Sequence, residues 1–224
     1  MATALIVGAS RGIGFELARQ YRADGWRVIA TVRQVHDGAA LTELGCEVLP
    51  LDVTNAEQCA ALGWQLDDER LDCAILVAGV YGPRSSGLDA PSAADFDAVM
   101  QSNVLGAMRL LPMIGPLVAQ AHGRLAVISS MMGSISLRSN SAGWLYRASK
   151  AALNSVLVDA ALTFGPVGAI CVALHPGWVR TAMGGDGATV AVEDSASGIR
   201  STLAKLTASG NGKFFNYDGA PLSW

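Results

Sequence analysis

The stretch "ALIVGASRGIG" (residues 4–14) decides the fold. Its apolar start predicts a buried β-strand, and the "FELARQY" that follows at residues 15–21 has the composition of a helix. Between them, Gly8, Gly12 and Gly14 allow a tight turn and let a pyrophosphate approach the helix N-terminus, where N–H groups and the helix dipole favour negative charge. The spacing is GxxxGxG, not the more common GxGxxG. The stretch predicts a dinucleotide-binding loop, and a plain strand-to-helix turn is the alternative.

Strand-like and helix-like segments alternate along the rest of the chain. Apolar runs recur in "WRVIATVR", "CEVLPLDV", "DCAILVAG", "RLAVISS", "AICVALHPG" and "GKFFNYDG". Such runs are typical of parallel strands covered on both faces, and right-handed crossovers between them give a doubly wound sheet. We expect a single domain over residues 1–224: an α/β Rossmann fold with a mostly parallel seven-stranded sheet in a three-layer αβα sandwich. We expect the Gly-rich stretch 184–192 to form a mobile lid.

The composition argues against several classes of protein. Of the 224 residues, 51% are hydrophobic and 16% are charged, and the net charge is −3 with no basic run. This leaves little electrostatic surface for nucleic acid or an anionic membrane. The cysteines and histidines lack the spacing of metal ligands, so we expect reduced, structural cysteines and no metal site. These residues are Cys46, Cys59, Cys73, Cys171, His36, His122 and His175.

The apolar segments do not have the pattern of a signal peptide or a membrane span. The first residues are apolar, but no basic region precedes them and the run stops at the glycine loop. The apolar tract 151–174 contains Asp159 and the break "GPVG", which favour a buried helix followed by a strand. We therefore expect a cytoplasmic protein.

The stretch "WLYRASKA" (residues 144–151) places a tyrosine and a lysine one helical turn apart among small residues. Side chains at i and i+4 share one helix face, so the phenol of Tyr146 and the ammonium of Lys150 can converge on one point. A nearby positive charge is what acid–base chemistry by a tyrosine requires. The alternative is an ordinary surface pair.

The glycine loop, "YRASK" and the βα alternation together resemble the short-chain dehydrogenase/reductase family nearly end to end. Further family motifs follow in order: "LDV" at 51–53, "NVLG" at 103–106, "SS" at 129–130 and "HPGWVRT" at 175–181. Within the family, "HPGWVRTAMGG" and "GKFFNYDGAPLSW" look most like the C-factor and sniffer-like carbonyl reductase branch. One departure is "LVAG" (76–79), where the family usually has "NNAG". The hydrogen bonds of the two missing asparagines must be replaced or lost.

The resemblance implies a catalytic role for Tyr146 and Lys150. Tyr146 is the general acid that protonates the carbonyl oxygen as hydride arrives from the nicotinamide. Lys150 holds the ribose hydroxyls of the cofactor and, with the charge of the oxidised nicotinamide, stabilises the phenolate. A tyrosine tuned in this way exchanges a proton near neutral pH.

The resemblance also implies two supporting polar residues. Ser130 donates a hydrogen bond to the substrate oxygen and stabilises its developing negative charge. Because Ser130 stands 16 residues before Tyr146, three more than is common in the family, Ser129 and Ser134 are weaker candidates for the same role. The side chain and local backbone of Asn103 hold a water next to the lysine and complete a proton relay. The alternatives are a serine that caps a strand end and an asparagine bonded within its helix.

The same resemblance implies a dinucleotide site. Asp52 corresponds to the family's adenine-contacting aspartate, and Val179 and Thr181 correspond to residues near the carboxamide. The whole set is Gly8, Ser10, Arg11, Gly12, Ile13, Gly14, Arg33, Asp52, Val53, Ala78, Gly79, Tyr146, Lys150, Pro176, Gly177, Val179 and Thr181.

The end of the second predicted strand, "ATVRQ", indicates which dinucleotide binds. It lacks the carboxylate that would accept hydrogen bonds from the ribose 2′-hydroxyl of NADH. Arg33 at that position, and Arg11 in the glycine loop, can clamp a 2′-phosphate through charge-assisted hydrogen bonds. We expect NADPH (NADP+) to be preferred over NADH; two solvated surface arginines are the alternative.

We therefore predict an NADPH-dependent oxidoreductase that transfers a hydride between the nicotinamide and a carbonyl or alcohol substrate. Tyr81, Trp144, Trp178 and Met183 follow strand ends and are candidates for an apolar substrate pocket, with core packing as the alternative. A rival hypothesis is a dinucleotide-binding signalling or regulatory protein of the C-factor type with little turnover. An extended-type epimerase would need a further substrate domain, for which 224 residues leave no room.

Oligomeric state depends on two predicted helices. Members of the family often form dimers through the helices that correspond to residues 103–120 and 145–164, so a homodimer is one expected assembly. Pro112 and Pro116 would kink the first of these helices.

Overall fold

The computed structural model describes residues 1–224, in which eight strands form one sheet. The strands are β1 (Thr3–Val7), β2 (Arg27–Val32), β3 (Glu47–Pro50), β4 (Cys73–Leu76), β5 (Arg124–Ile128), β6 (Ile170–His175), β7 (Lys213–Asn216) and β8 (Pro221–Leu222). Their order is β3-β2-β1-β4-β5-β6-β7-β8. All neighbouring pairs are parallel except β7 with β8. The predicted doubly wound, mostly parallel sheet is confirmed.

The predicted number of strands, seven, is one too few, because β8 adds a short antiparallel edge. In this edge Phe214 pairs with Leu222 and Phe215 with Pro221. A two-residue strand is too short to show any hydrophobic period in the sequence. At the opposite edge β3 ends in Pro50. Both edges therefore carry a proline, which cannot donate a hydrogen bond to a further strand.

Helices cover both faces of the sheet. They are α1 (Gly12–Ala23), α2 (Ala39–Glu43), α3 (Ala56–Gln65), α4 (Ala93–Met100), α5 (Gly106–Gln120), α6 (Trp144–Phe164) and α7 (Val192–Lys205). Buried side chains of α3, α5 and α6 join a core cluster of 27 residues, and those of α1, α2 and α7 join a second cluster of 22. Along β1, Leu5 and Val7 enter the first cluster and Ala4 and Ile6 the second. Strands buried on both faces explain the continuous apolar runs.

Helices α4 and α5 are joined by a π-helical turn at Gln101–Leu105, so one helical stretch runs from Ala93 to Gln120. Pro112 and Pro116 lie inside α5, and the helix continues through both positions. By length and composition this stretch could cross a membrane, but more than half of its apolar part is buried inside the protein. It packs against α3 and α6 as a core helix. The tract 151–174 forms part of α6 and then β6, as predicted.

The loops that follow the parallel strands gather at one edge of the sheet. The strand order reverses between β1 and β4, which is where open α/β sheets bind ligands. The predicted lid is tied at its base, since Val179 and Val190 form an isolated β-bridge and Val190 N donates to Trp178 O at 2.9 Å. The four cysteines are free and buried. No group of three or more His, Cys, Asp or Glu side chains lies close enough together to hold a metal ion.

Candidate active site

The glycine loop lies between β1 and the first turn of α1, and its glycines are required by close approaches. Gly8 has φ +87°, and a Cβ there would lie 2.8 Å from the backbone nitrogen of Ala78. A Cβ on Gly14 would collide with the carbonyl oxygen of Gly8. Ser10 and Arg11 form the open part of the loop and are exposed. The loop thus forms a narrow cradle at a helix N-terminus, which fits the diphosphate of a dinucleotide.

The predicted pair on α6 is brought together and buried. Tyr146 is 8% exposed and Lys150 is 3% exposed. The Lys150 ammonium lies 5.7 Å from the centre of the Tyr146 ring and donates a 2.8 Å hydrogen bond to the carbonyl of Ile128, at the end of β5. The surface-pair alternative does not fit this burial. The carbonyl of Ile128 is a partner that the sequence pattern did not reveal.

Burial shifts both side chains toward their neutral forms in the protein alone. Burial raises the pKa of Tyr146 to about 12, partly opposed by hydrogen bonding to Ser130. Burial lowers the pKa of Lys150 to about 8. The expected lowering of the tyrosine pKa by the lysine is therefore not a property of the protein alone, because desolvation outweighs it. A protonated phenol at neutral pH is suited to act as an acid.

The three serine candidates have different surroundings. Ser130 lies two residues after β5, accepts a hydrogen bond from Met132 N at 3.1 Å and is close enough to the phenol of Tyr146 to lower its pKa. Ser129 donates to Asn154 Oδ1 at 2.5 Å. Ser134 is fully buried and donates to the carbonyl of Ser223 at 2.8 Å. The hydroxyls of Ser129 and Ser134 already donate to protein acceptors. The Ser130 hydroxyl is therefore the one of the three that is free to donate to a substrate oxygen.

Asn103 lies in the π-helical turn, and its side chain is occupied by protein partners. Its Oδ1 accepts from Val80 N at 2.8 Å, and its Nδ2 donates to Val80 O at 2.8 Å and to Ser149 Oγ at 2.9 Å. Ser149 Oγ in turn donates to the carbonyl of Tyr146 at 2.8 Å. The Asn103 side chain ties the loop after β4 to the helix that carries Tyr146. The predicted water next to Lys150, held by the side chain and local backbone of Asn103, stays a prediction.

The loop after β4, which contains the "LVAG" departure, is held by backbone bonds and by Asn103. Val77 N and Ala78 N both donate to the carbonyl of Val7, at 2.9 and 3.0 Å, so the start of the loop is fixed to β1. Two bonds to Asn103 fix the same loop at Val80. Gly79 lies between them, and a Cβ there would be 3.0 Å from Asn103 Oδ1 and 3.5 Å from Lys150 Nζ. The backbone therefore comes close to both polar groups at a point where only glycine leaves space.

The residues predicted to bind the adenosine end lie after β2 and β3. Arg33 and Arg11 are exposed, and neither forms a salt bridge. Burial raises the pKa of Asp52, but hydrogen bonds from Thr54 and the charge of Arg33 bring it below the ordinary value. The Asp52 carboxylate is thus an ion that accepts from Thr54 N and Oγ1 at 2.9 and 2.7 Å. Val53 packs against Gly106 of α5.

The residues after β6 form the opposite wall of the cradle. A Cβ on Gly12 would lie 3.3 Å from Thr181 Cγ2, so the two loops are neighbours. Gly177 has φ +84° and turns the chain directly after Pro176. Val179 is buried, with 3% exposure. Ile13, in the first turn of α1, is half-buried against the second core cluster.

The predicted substrate residues divide into two groups. Tyr81 stacks on Tyr146 with ring centres 4.6 Å apart, and the guanidinium of Arg84 lies 5.2 Å above the Tyr81 ring. Trp144 donates from Nε1 to the carbonyl of Asp89 at 3.1 Å, so it holds the loop after β4. The other group, Trp178 and Met183, lies on the loop after β6. A hydrogen bond from Arg84 Nη2 to the carbonyl of Met183, at 3.2 Å, joins this loop to the loop after β4.

Trp178 bonds within its own loop, through Nε1 to Gly184 O at 2.9 Å, and is 55% exposed. Met183 is 43% exposed. Neither is a core residue, so the core-packing alternative does not fit them. Two cavities, of about 500 and 270 Å³, lie elsewhere and contain none of the predicted site residues.

Comparison with known proteins identifies relatives over the whole chain. A family model described as "Enoyl-(Acyl carrier protein) reductase" matches residues 8–217. The 1-hydroxy-2-glutathionyl-2-methyl-3-butene dehydrogenase of Rhodococcus sp. (strain AD45) is 32% identical, with all of both chains covered. The C-signal protein of Myxococcus xanthus is 36% identical over 58% of this chain and 80% of its own length.

Two solved structures match the fold over their full lengths. The carbonyl reductase Sniffer of D. melanogaster has a TM-score of 0.89 and 28% identity, with all of both chains covered. A carbonyl reductase from Pseudomonas aeruginosa PAO1 in complex with NADP has a TM-score of 0.88 and 33% identity, again with full coverage of both chains. These relatives agree with the branch that the sequence motifs resemble.

Proposed function

Because this chain belongs to the short-chain dehydrogenase/reductase family and is an oxidoreductase of that family, we propose that it reduces a carbonyl substrate with NADPH. The observation that carries the proposal is the buried Tyr146–Lys150 pair beside the glycine cradle, with Ser130 close enough to the phenol to lower its pKa. A binding protein has no physical need for a desolvated acid of this kind.

The cradle residues fit a nicotinamide dinucleotide. The close approaches at Gly8 and Gly14 fix the glycine loop at the N-terminus of α1, where backbone N–H groups favour the negative charge of a diphosphate. Lys150 would hold the ribose, and Arg11 and Arg33 would hold the 2′-phosphate. When bound, the nicotinamide supplies the hydride. The solved complex of the related carbonyl reductase from Pseudomonas aeruginosa PAO1 contains NADP, which supports this choice of cofactor.

In the proposed reduction, the proton that reaches the substrate oxygen comes from a residue of this chain. Tyr146 keeps its proton at neutral pH, because burial raises its pKa to about 12. Its hydroxyl and that of Ser130 would both donate to the carbonyl oxygen of the substrate, so the charge that develops there is met by two donors. The phenol then gives up its proton to the alkoxide, and the charge of Lys150 stabilises the phenolate that remains. Reprotonation of the phenol completes the cycle.

A carbonyl panel tests the proposal directly. Purified protein is mixed with NADPH and each of a series of aldehydes, ketones and diketones, and loss of the reduced cofactor is followed optically. We expect turnover with at least one apolar carbonyl, and turnover at least about a hundredfold lower in Tyr146→Phe. Equal rates in the two proteins would overturn the proposal.

A second candidate function is signalling, and the similarity to the C-signal protein over 58% of the chain favours it. A protein of this kind would bind the dinucleotide with little turnover. It would show cofactor binding by fluorescence and no reduction of any carbonyl in the panel. A cytoplasmic location and a homodimer through α5 and α6 stay predictions.

A further inference from the structure

The loop between Ser130 and α6, residues 131–143, is fastened to a segment far away in sequence. We refer to it as the substrate loop. Ser134 Oγ donates to Ser223 O at 2.8 Å. Ser136 donates twice to Trp224 O, from its backbone nitrogen at 3.1 Å and from Oγ at 2.7 Å. Three hydrogen bonds thus join the loop to two residues that follow β8.

The fastening segment is itself anchored to the core of the protein. The Trp224 ring stacks on Phe214, with ring centres 5.3 Å apart and an angle of 12° between the planes. Phe214 lies on β7 and is 1% exposed. The Trp224 carbonyl therefore presents an acceptor whose position is set by the sheet and not by the substrate loop.

The two ends of the substrate loop lie at the candidate catalytic residues. Gly133 packs so closely on α6 that a Cβ would lie 2.8 Å from the backbone carbon of Lys150. At the far end, a Cβ on Gly143 would collide with the hydroxyl of Tyr81. Between these ends, Ile135 and Leu137 are 71% and 45% exposed. The loop therefore carries exposed apolar side chains on a segment whose two ends contact Lys150 and Tyr81.

We propose that Ser223 and Trp224 position the substrate loop, and that this positioning determines how tightly large apolar carbonyl substrates bind. Without the three bonds, a loop of this length would sample many conformations, and a substrate that touches it would have to order it. With the bonds in place, the apolar side chains are already ordered, which favours binding. The effect on substrates rests on the proposed function, whereas the positioning of the loop does not.

Hydrogen–deuterium exchange of Trp224→Ala tests the positioning. We expect faster exchange across the substrate loop and unchanged exchange in β1 and β4. The matched control is Trp64→Ala, which removes an indole that is 81% exposed on α3. Unchanged exchange in the substrate loop of Trp224→Ala would overturn the proposal. If Trp224→Ala does not fold, Ser136→Ala takes its place, with Ser139→Ala in the same loop as its control.

Steady-state kinetics test the consequence for binding. With 4-phenylbenzaldehyde and NADPH, we expect Trp224→Ala to raise KM about tenfold with kcat within a factor of about two, a difference of about 1.4 kcal/mol. With butane-2,3-dione, too small to reach the loop, we expect KM to change less than about twofold. Trp224→Phe, which keeps a ring on Phe214, should restore the larger aldehyde's KM. NADPH affinity should stay unchanged.

Three outcomes separate this proposal from the proposed function. A fall in kcat for both carbonyls with unchanged KM would overturn the binding role. An equal rise in KM for both carbonyls would overturn it too. If the wild-type protein reduces neither carbonyl nor any other in the panel, the reductase function fails, and exchange alone then decides whether Trp224 positions the loop.

Discussion

The ring of Tyr81 lies against the ring of Tyr146, with centres 4.6 Å apart and an angle of 23° between the planes. One face of the candidate acid is therefore covered by a second aromatic ring. This contact contributes to the burial that raises the pKa of Tyr146, and it fixes the phenol against rotation toward solvent. The hydroxyl is left directed at Ser130 and the cleft, where a carbonyl oxygen would lie.

Tyr146→Phe removes the proposed acid and keeps the stacked ring. We expect turnover to fall at least about a hundredfold, as for a lost general acid, with NADPH affinity unchanged. Tyr21→Phe is the control, because the hydroxyl of Tyr21 bonds to Cys73 outside the site. Turnover above about a tenth of the wild-type value in Tyr146→Phe would mean that another group supplies the proton.

Ser130→Ala and Ser134→Ala distinguish a serine that donates to the substrate from a serine that stabilises the fold. We expect Ser130→Ala to lower kcat/KM about a hundredfold, as when one oxyanion donor is lost. Ser134→Ala breaks the bond to Ser223, so we expect it to lower the free energy of unfolding by about 1 kcal/mol and to leave reduction of a small carbonyl nearly unchanged. A large loss of turnover in Ser134→Ala would show that the wrong serine was assigned.

Asn103→Ala should act mainly on stability. It leaves the N–H and C=O of Val80 without their partner in the fold. Unsatisfied buried groups of this kind lower the free energy of unfolding by about 1–3 kcal/mol. Urea unfolding measures this, with the exposed Gln101→Ala in the same helical turn as control. Equal stability of the two variants would indicate that Asn103 does not hold the loop after β4.

Arg33→Ala tests which dinucleotide the site selects. A hydrogen bond to a charged group contributes about 1.5–3 kcal/mol, so NADPH affinity should fall roughly 10- to 150-fold, with NADH affinity barely changed. Arg11→Ala should act in the same direction. Fluorescence titration with both cofactors measures the effect. Equal affinity of the wild-type protein for NADPH and NADH would contradict a phosphate-binding role for either arginine.

His175 should make the fold sensitive to acid. Burial lowers its pKa from 6.5 to about 4, and its Nδ1 has no hydrogen-bond partner. Between pH 6.5 and pH 4 His175 is protonated in the unfolded chain and neutral in the folded protein. The stability that is present above pH 6.5 is therefore lost as the pH falls toward 4. Between pH 7 and pH 4 we expect the wild type to lose about 2–3 kcal/mol more than His175→Asn.

Urea unfolding at pH 7, 5 and 4 measures this difference. His36→Asn is the control, since the His36 side chain is 81% exposed. If the wild type and His175→Asn lose the same stability between pH 7 and pH 4, then the pKa of His175 is not lower in the folded protein than in the unfolded chain.

Features that depend on local sequence could be predicted, and features that depend on distant partners could not. Tyr146 and Lys150 are four residues apart, so they lie on one face of any helix that contains them. The spacing of the glycines in the first loop is likewise visible in the sequence. The substrate loop, by contrast, is held by one bond from Ser134 to Ser223, 89 positions away, and by two bonds from Ser136 to Trp224, 88 positions away. No local pattern encodes such a contact.

Asn103 illustrates the same limit within the site. Its place in a helix follows from the surrounding residues, but its partners, Val80 and Ser149, lie 23 and 46 positions away. The three bonds to these partners could therefore not be predicted from the sequence around Asn103. Likewise, the pKa of Tyr146 depends on how deeply the ring is buried, which spacing alone does not give.

The strand order constrains how the protein can assemble. β1 lies between β2 and β4, and its pairing with β4 joins Ala4 to Cys73. Contacts between residues this far apart require closure of a long chain segment before they stabilise anything, which slows folding. During synthesis, β1, β2 and β3 can form a ribbon whose open edge is β1 itself, and that edge stays unpaired until β4 emerges. The hydrophobic strand that precedes the glycine loop is thus unpaired on one side until the segment that contains β4 has been synthesised.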